Sequence, residues 1–289
     1  LAFFMPLDLS FSCWFFYLFW KAERVFGSVL GLRNLPKFPY IEAQTSGAYI
    51  GLCVLAIWST RHHIKQMFSI IFHRNKTHNM DSTGEPISYA NALLGAVIGF
   101  TLLIVFSVKA GMTFGASMIF FLIYFVLSIG ITRMRAELGS PVHDLHRAGA
   151  HYMMVDTLGS RAFTAGDLTI FSFYQFFNRA YRGHIMPHQL EGFKLAERSR
   201  MHLKIFFWAI VIAAVVSSVT SFWAALDSFY RFGVSNVGKV PESFGQLQRW
   251  LNLPSPVDYG AGLAMGAGFS FTFLLAVLRM NLFWWPLHP

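Results

Sequence analysis

Long hydrophobic runs separated by short polar connections are the main pattern in this sequence. A helix that crosses a lipid bilayer needs about 20 mostly apolar residues. Six runs approach or reach this length, so we predict an all-α integral membrane protein with about six transmembrane helices. The predicted spans are Leu1–Trp20, Ala43–Trp58, Tyr89–Val108, Gly111–Ile131, Ile205–Trp223 and Tyr259–Leu278.

A seventh segment, residues 163–182, has an amphipathic pattern. The polar side chains that recur on one face of this helix are Ser172, Gln175, Arg179 and Arg182, and phenylalanines occupy the other face. A helix of this kind lies in the membrane interface, with its apolar face toward the lipid. The alternative is that it lines a polar vestibule, in which Arg179 and Arg182 face an anionic substrate.

Lysine and arginine are unevenly distributed between the two sides that these spans define. Fifteen of the 23 basic residues lie in residues 61–88, in residues 132–204 or directly after the last span. Because basic residues concentrate in cytoplasmic connections, we predict that residues 61–88 and 132–204 are cytoplasmic, the latter with amphipathic helices. Residues 227–258 then form an extracytoplasmic loop, and the predicted location is the bacterial inner membrane.

The composition excludes other classes of protein. Hydrophobic residues make up 55% of the 289 residues and charged residues 13%, which is about half the charged fraction of a soluble domain. Intrinsic disorder is excluded because it requires low hydrophobicity. The formal net charge of +9 is explained by the basic connections, so we expect lipid as a neighbour and no nucleic acid partner.

Both ends of the sequence lie in apolar stretches. We therefore expect residues 1–289 to be a single transmembrane domain that is an excerpt of a longer chain. Cys13 and Cys53 lie inside apolar runs, where a thiol behaves as a small hydrophobic side chain.

Asp8 is the only carboxylate inside a predicted apolar span. Ionisable groups at membrane depth are costly and therefore indicate function. Pro6 disrupts helical hydrogen bonding nearby, so this span is a candidate broken helix with Asp8 as the coupling or substrate-binding carboxylate. The alternative is that Asp8 caps the helix that follows.

Glycine pairs four residues apart recur, and one of them is Gly262 and Gly266 in the last span. Small residues at this spacing let two helix backbones approach closely, so packing within the chain is the first interpretation. The alternative is a backbone-lined substrate path at Gly260, Gly262, Gly266 and Gly268.

Three histidines and two aspartates lie within fourteen residues of the predicted cytoplasmic stretch. Imidazole and carboxylate groups are ligands for zinc or iron, although this spacing matches no established zinc motif. The candidate ligands are His143, Asp144, His146, His151 and Asp156. The alternative is a solvated polar loop near the lipid headgroups.

Histidine is absent from the second to the sixth predicted spans. We therefore expect no haem or chlorophyll held by an axial imidazole. No cofactor is predicted apart from the candidate metal.

Three strings carry a resemblance to known proteins: residues 6–16, 133–146 and 184–195. They resemble a family of large, uncharacterised bacterial multi-spanning membrane proteins, and the resemblance covers nearly the whole chain. The layout of that family is distantly similar to oligopeptide and metal-chelate transporters. The resemblance assigns no substrate residue to a position in this sequence.

These observations lead to three hypotheses about function. The first is a secondary-transporter-like protein that moves a small polar solute, either a peptide or a chelate. The second is a non-catalytic structural or accessory subunit, with other membrane subunits as partners. The third is a membrane-embedded metalloenzyme built on the histidine and aspartate cluster.

Overall fold

The computed structural model describes residues 6–31, 37–73, 85–139, 145, 148–178, 181–233 and 240–288. Within these ranges the chain forms ten α-helices and a short 3₁₀ helix, Ser160–Ala162, and it forms no strand. The α-helices are α1 (Leu7–Val29), α2 (Ile41–His73), α3 (Tyr89–Lys109), α4 (Phe114–Leu138), α5 (Ala150–Leu158), α6 (Ala165–Asn178), α7 (Ile185–Arg198), α8 (Leu203–Phe232), α9 (Val240–Asn252) and α10 (Tyr259–Asn281).

Five of the described helices are long and apolar enough to cross a membrane: α2, α3, α4, α8 and α10. They fit an integral membrane protein, but the number is five where the sequence predicted about six. The difference lies in α1, which extends to Val29 and so includes Lys21, Glu23 and Arg24 in addition to Asp8. These charges leave α1 without an apolar stretch long enough to count as a span.

Helices α2, α4 and α10 form the centre of the bundle, and glycines let them approach closely. A methyl group at Gly47 of α2 would collide with the Met265 carbonyl of α10, and one at Gly268 would collide with the Gln44 carbonyl. Gly130 of α4 faces the Tyr49 carbonyl in the same way. Because glycine has no side chain, these helices lie closer together than a larger residue at the same positions would allow.

The core lies along α4, because its side chains meet the helices that follow it in the sequence. Phe120 and Leu127 are fully buried and belong to two separate apolar clusters. Phe120 stacks on Phe171 of α6 with ring centroids 5.8 Å apart. Leu127 packs with Tyr181, which follows α6.

After α4 the chain returns along that helix toward Thr113, and it then runs beside α4 toward Arg135. At one end, the Thr113 backbone N–H donates to Asp167 of α6 at 2.7 Å. At the other end, Arg135 of α4 pairs with Glu191 of α7. Residues 132–204 were expected on one side of the membrane, whereas these contacts place the α5–α6 connection at the Thr113 end of α4 and α7 at its Arg135 end.

Helix α6 has the amphipathic pattern predicted for residues 163–182, but it is oriented differently from an interfacial helix. Ser172 is 5% exposed and Gln175 is 3% exposed, whereas Phe173 is 55% exposed and Phe176 is 82% exposed. The polar stripe therefore faces the protein interior. The reason is that the polar face packs against α5, where Gln175 donates to the Tyr152 hydroxyl at 3.3 Å, a partner that an apolar surrounding would not supply.

Helix α8 differs from the other apolar helices because none of its residues is buried. Its contacts in the described structure are mainly with α7, where Phe206 meets Phe193 at a ring-centroid distance of 5.4 Å. The predicted loop 227–258 begins within the last turns of α8 and includes helix α9.

Candidate functional site

Two segments far apart in sequence are joined by backbone hydrogen bonds near the Thr113 end. The Asp258 N–H donates to the Asp156 carbonyl at 2.8 Å, and the Ser160 N–H donates to the Ser255 carbonyl at 3.0 Å. The Ser255 N–H in turn donates to the Ser160 hydroxyl at 2.8 Å. These bonds fix the end of α5 against the residues that lead into α10.

An ion triad of Lys37, Asp156 and Asp258 lies on this frame. The Lys37 Nζ is 2.8 Å from Asp156 Oδ1 and 3.0 Å from Asp258 Oδ2. The other oxygen of Asp258, Oδ1, accepts from the Ala261 N–H at 3.0 Å and so caps α10. One lysine thus connects α5, α10 and the segment before α2.

Lys37 and Asp258 are both charged at neutral pH. Burial raises the pKa of Asp258, but hydrogen bonds from the Ala261 N–H and Lys37 outweigh it, so the pKa lies below its usual value. Burial lowers the pKa of Lys37, yet the hydrogen bonds to Asp156 and Asp258 leave it above its usual value. The Lys37 ammonium and the Asp258 carboxylate therefore attract each other as opposite charges.

Tyr40 lies beside the triad and has a strained backbone conformation. It has a φ of 60°, a left-handed conformation that is unfavourable for a residue with a side chain. Its hydroxyl lies close to Asp258 and helps to lower the pKa of that carboxylate. A methyl group at Gly260 would lie 2.6 Å from that hydroxyl, so the glycine leaves the space that Tyr40 occupies.

A cavity of about 860 Å³ opens beside the triad, and we call it the triad cavity. This volume is within the range of small-molecule sites. Its charged lining residues are Lys37, Glu42, Asp156, Arg249 and Asp258, and its aromatic ones are Tyr40, Tyr152, Trp250 and Tyr259. Groups of both charges together with aromatic faces can orient a small polar molecule.

Buried polar side chains lie directly behind the triad cavity. His151 and Asn178 are fully buried, and Asn178 Nδ2 lies 2.5 Å from His151 Nδ1. Asn178 Oδ1 accepts from the Ala150 N–H at 3.2 Å and from the Tyr181 hydroxyl at 2.8 Å. Because Oδ1 is occupied, the amide donates to His151, and the His151 proton is on Nε2, which has no partner in the described structure.

Asp8, the predicted coupling carboxylate, lies in a different cluster. Its Oδ2 is 2.7 Å from His288 Nε2 and 3.2 Å from an Arg279 nitrogen, and its side chain is 41% exposed. The hydrogen bond from His288, which outweighs burial, holds the pKa of Asp8 below its usual value. These contacts fasten the start of α1 to the end of α10.

The glycine candidates separate into two groups. Gly262 and Gly266 are exposed, and a methyl group at either position would meet nothing within 4 Å. Gly260 faces Tyr40 at the triad cavity, and Gly268 packs against α2. The pattern of small residues is therefore used for packing on one face of α10, while the other face is open.

The remaining candidates are only partly described. Arg179, His143, Asp144 and His146 lie outside the described residues, and Arg182 is exposed. His151 contacts Asn178, and Asp156 belongs to the ion triad. Over the described ranges, no three His, Cys, Asp or Glu side chains are grouped as a metal site would require.

Sequence reasoning missed Lys37, Tyr40, Asp258 and Trp250 as site residues. Only Asp258 had a local signal, because an aspartate directly before an apolar run is typical of a helix N-cap. The other three are separated in sequence from their partners, so spacing could not connect them.

Comparison with known proteins adds a family assignment without an activity. No curated protein and no solved structure matches this chain. A family model matches residues 1–289, and its description is a family of unknown function, DUF6785. The match covers the whole sequence, so the chain belongs to the uncharacterised family DUF6785.

Proposed function

We propose that this chain is part of a secondary-transporter-like protein of the bacterial inner membrane that moves a small polar solute, a peptide or a chelate. The observation that carries the proposal is the triad cavity. It combines carboxylates, basic groups and aromatic faces from separate elements of a bundle with five apolar helices. Such convergence of polar groups in one large cavity is typical of a ligand site.

The distribution of basic residues supports an orientation for this site. Lys109, the last residue of α3, is the single basic residue at the α3–α4 turn, whereas the connections at the other end hold most of the basic residues. The positive-inside rule then places the Thr113 end, with the triad cavity, on the extracytoplasmic side. A solute would enter the cavity from outside the cell.

The interrupted helices behind the cavity also support transport. Transporter sites often use short helices whose polar ends meet inside the membrane. Here α5 and α6 are 9 and 14 residues long, and buried Gln175 and Asn178 lie on α6. Their amide groups extend the polar lining beyond the cavity and toward the centre of the bundle.

Uptake into proteoliposomes tests the proposal. Liposomes with the full-length protein should accumulate radiolabelled glycylglycine or ferric citrate above the level of protein-free liposomes. Asp258→Asn should reduce this uptake, because it removes a charge from the triad while an asparagine can still cap α10. The matched control is Asp227→Asn, a carboxylate on α8 that is paired with Arg231 and does not line the triad cavity.

Two results would overturn the proposal. A folded protein that accumulates neither probe would exclude both solute classes. Uptake that is the same in Asp258→Asn and in Asp227→Asn would remove the triad cavity from the transport path.

The second candidate function, an accessory subunit of a membrane complex, is favoured by α8. This helix exposes Ile212, Val216 and Val219, and none of its residues is buried. An apolar helix without buried residues offers surface to other membrane helices. Native mass spectrometry of the gently extracted protein should show defined partner subunits if this function is correct, and a protein that runs alone would contradict it.

A further inference from the structure

The backbones of Asp156 and Asp258, and the Asp258 carboxylate itself, are held in place by contacts that do not involve Lys37. The Asp258 N–H donates to the Asp156 carbonyl, and Asp258 Oδ1 accepts from the Ala261 N–H. The neighbouring bonds between Ser160 and Ser255 reinforce this frame. Removal of the lysine would therefore leave both aspartates on a fixed backbone, side by side at the cavity.

Lys37 is less firmly held than the carboxylates that it bridges. Its side chain is 50% exposed, compared with 33% for Asp156 and 22% for Asp258. The ammonium group is carried on a flexible four-carbon stem. The stem can turn toward solvent without any change in the backbone bonds that fix the carboxylates.

The walls around the carboxylate pair suit an ammonium group and a second charge. Trp250, Tyr152 and Tyr40 present aromatic rings, which attract cations. Arg249 also lines the cavity and provides a positive charge for a carboxylate of the same solute. The lining carries three carboxylates and two basic groups, so a cationic or zwitterionic molecule is favoured over an anion.

We infer that Asp156 and Asp258 form a binding site for a primary ammonium group, in which Lys37 is a tethered occupant that the solute displaces. The solute class is an amine, either cationic or zwitterionic with its carboxylate toward Arg249. This inference rests on the proposed function, because it identifies the solute of the same cavity. Two N–H donors are needed to replace the contacts that the Lys37 ammonium makes with the two carboxylates.

Binding of a simple amine to the purified full-length protein tests this inference. A tethered group competes at an effective concentration in the millimolar range. Lys37→Met should therefore bind n-propylammonium about tenfold or more tightly than the wild type, as measured by isothermal titration calorimetry. Asp156→Asn in the Lys37→Met background should abolish the gain, whereas Asp227→Asn in that background should keep it.

Tetramethylammonium is the matched probe, because it has the same charge and no N–H donor. Weak or absent binding of tetramethylammonium to Lys37→Met supports the inference, and binding equal to that of n-propylammonium overturns it. Equal affinity of wild type and Lys37→Met for n-propylammonium also overturns it. If Lys37→Met does not fold, Lys37→Gln keeps a hydrogen-bond donor, and the same comparison applies.

The failure of this inference can be separated from that of the proposed function. Tighter n-propylammonium binding by Lys37→Met without uptake of either probe would keep the ammonium site and remove transport. Uptake of ferric citrate without any gain in amine binding would keep transport and remove the ammonium site.

Discussion

Asp156 and Asp258 are 102 positions apart in the sequence, and the Asp258 N–H donates to the Asp156 carbonyl at 2.8 Å. This bond brings the end of α5 to the start of α10 and positions two carboxylates around Lys37. The same contact determines the path of the chain after α4, since α5 must return toward the Thr113 end to make it.

The path of α5 and α6 predicts which side of the membrane exposes their connection. In a chain without Cys13 and Cys53, Arg161→Cys should react with a membrane-impermeant maleimide from the same side as Tyr230→Cys. Ser199→Cys should react from the opposite side, because α7 lies at the Arg135 end of α4. Reaction of Arg161→Cys and Ser199→Cys from one side would instead support a single cytoplasmic stretch over residues 132–204.

Glycine substitutions should separate packed positions from open ones. Gly47→Ala places a methyl group against the Met265 carbonyl and should cost about 1–3 kcal/mol through overpacking. Gly262→Ala meets open space and should be neutral or stabilise the helix by up to about 1 kcal/mol. Thermal unfolding in detergent measures both, and equal loss of stability in the two variants would contradict the packing of α2 against α10.

Asp167 is expected to make stability depend on acid pH. Burial raises its pKa, but hydrogen bonds from the N–H groups of Thr113 and Thr164 outweigh it, and the net pKa is below the usual value. A lowered pKa stabilises the folded state above the unfolded-state value of 3.8, and this contribution is lost as pH falls through the folded-state value. Asp167→Asn should lower stability at neutral pH by about 1–3 kcal/mol and flatten the acid dependence.

The measurement for Asp167 is urea unfolding of both forms across the acid range. If the free energy of unfolding of Asp167→Asn fell with decreasing pH as steeply as that of the wild type, Asp167 would not anchor α6 to the α3–α4 connection.

The ion pair between Asp8 and Arg279 allows a direct test of the prediction that Asp8 is a coupling carboxylate. The side chains of Asp8 and Arg279 are 41% and 38% exposed, and ion pairs of that exposure contribute about 0–1 kcal/mol. Asp8→Asn should therefore reduce stability slightly and leave proteoliposome uptake unchanged, because Asp8 does not line the triad cavity. Loss of uptake with unchanged stability would restore Asp8 as the coupling carboxylate.

The apolar spans could be predicted from sequence because they depend on local composition. The predicted segments Tyr89–Val108, Gly111–Ile131, Ile205–Trp223 and Tyr259–Leu278 each lie largely within one observed helix. The second span was underestimated, since α2 continues to His73 beyond its apolar part. The end of a helix is harder to predict where the sequence is polar than the length of an apolar segment is.

The orientation of α6 and the triad cavity could not be predicted in this way. An amphipathic pattern shows that a helix has two faces, but it does not show whether Gln175 faces water or protein. Lys37 and Asp156 are 119 positions apart, and no local pattern indicates that they meet. Such relationships follow from packing against α4 and α10, which only the three-dimensional structure reveals.

Protection of the triad cavity by its solute is the most direct test of the account. In the cysteine-free chain, Gln246→Cys on the cavity wall is labelled with a maleimide in the presence of whichever probe the proteoliposomes accumulate. We expect saturating probe to slow labelling at Gln246→Cys and to leave labelling at Tyr230→Cys unchanged. An unchanged rate at Gln246→Cys would contradict the assignment of this cavity as the solute site.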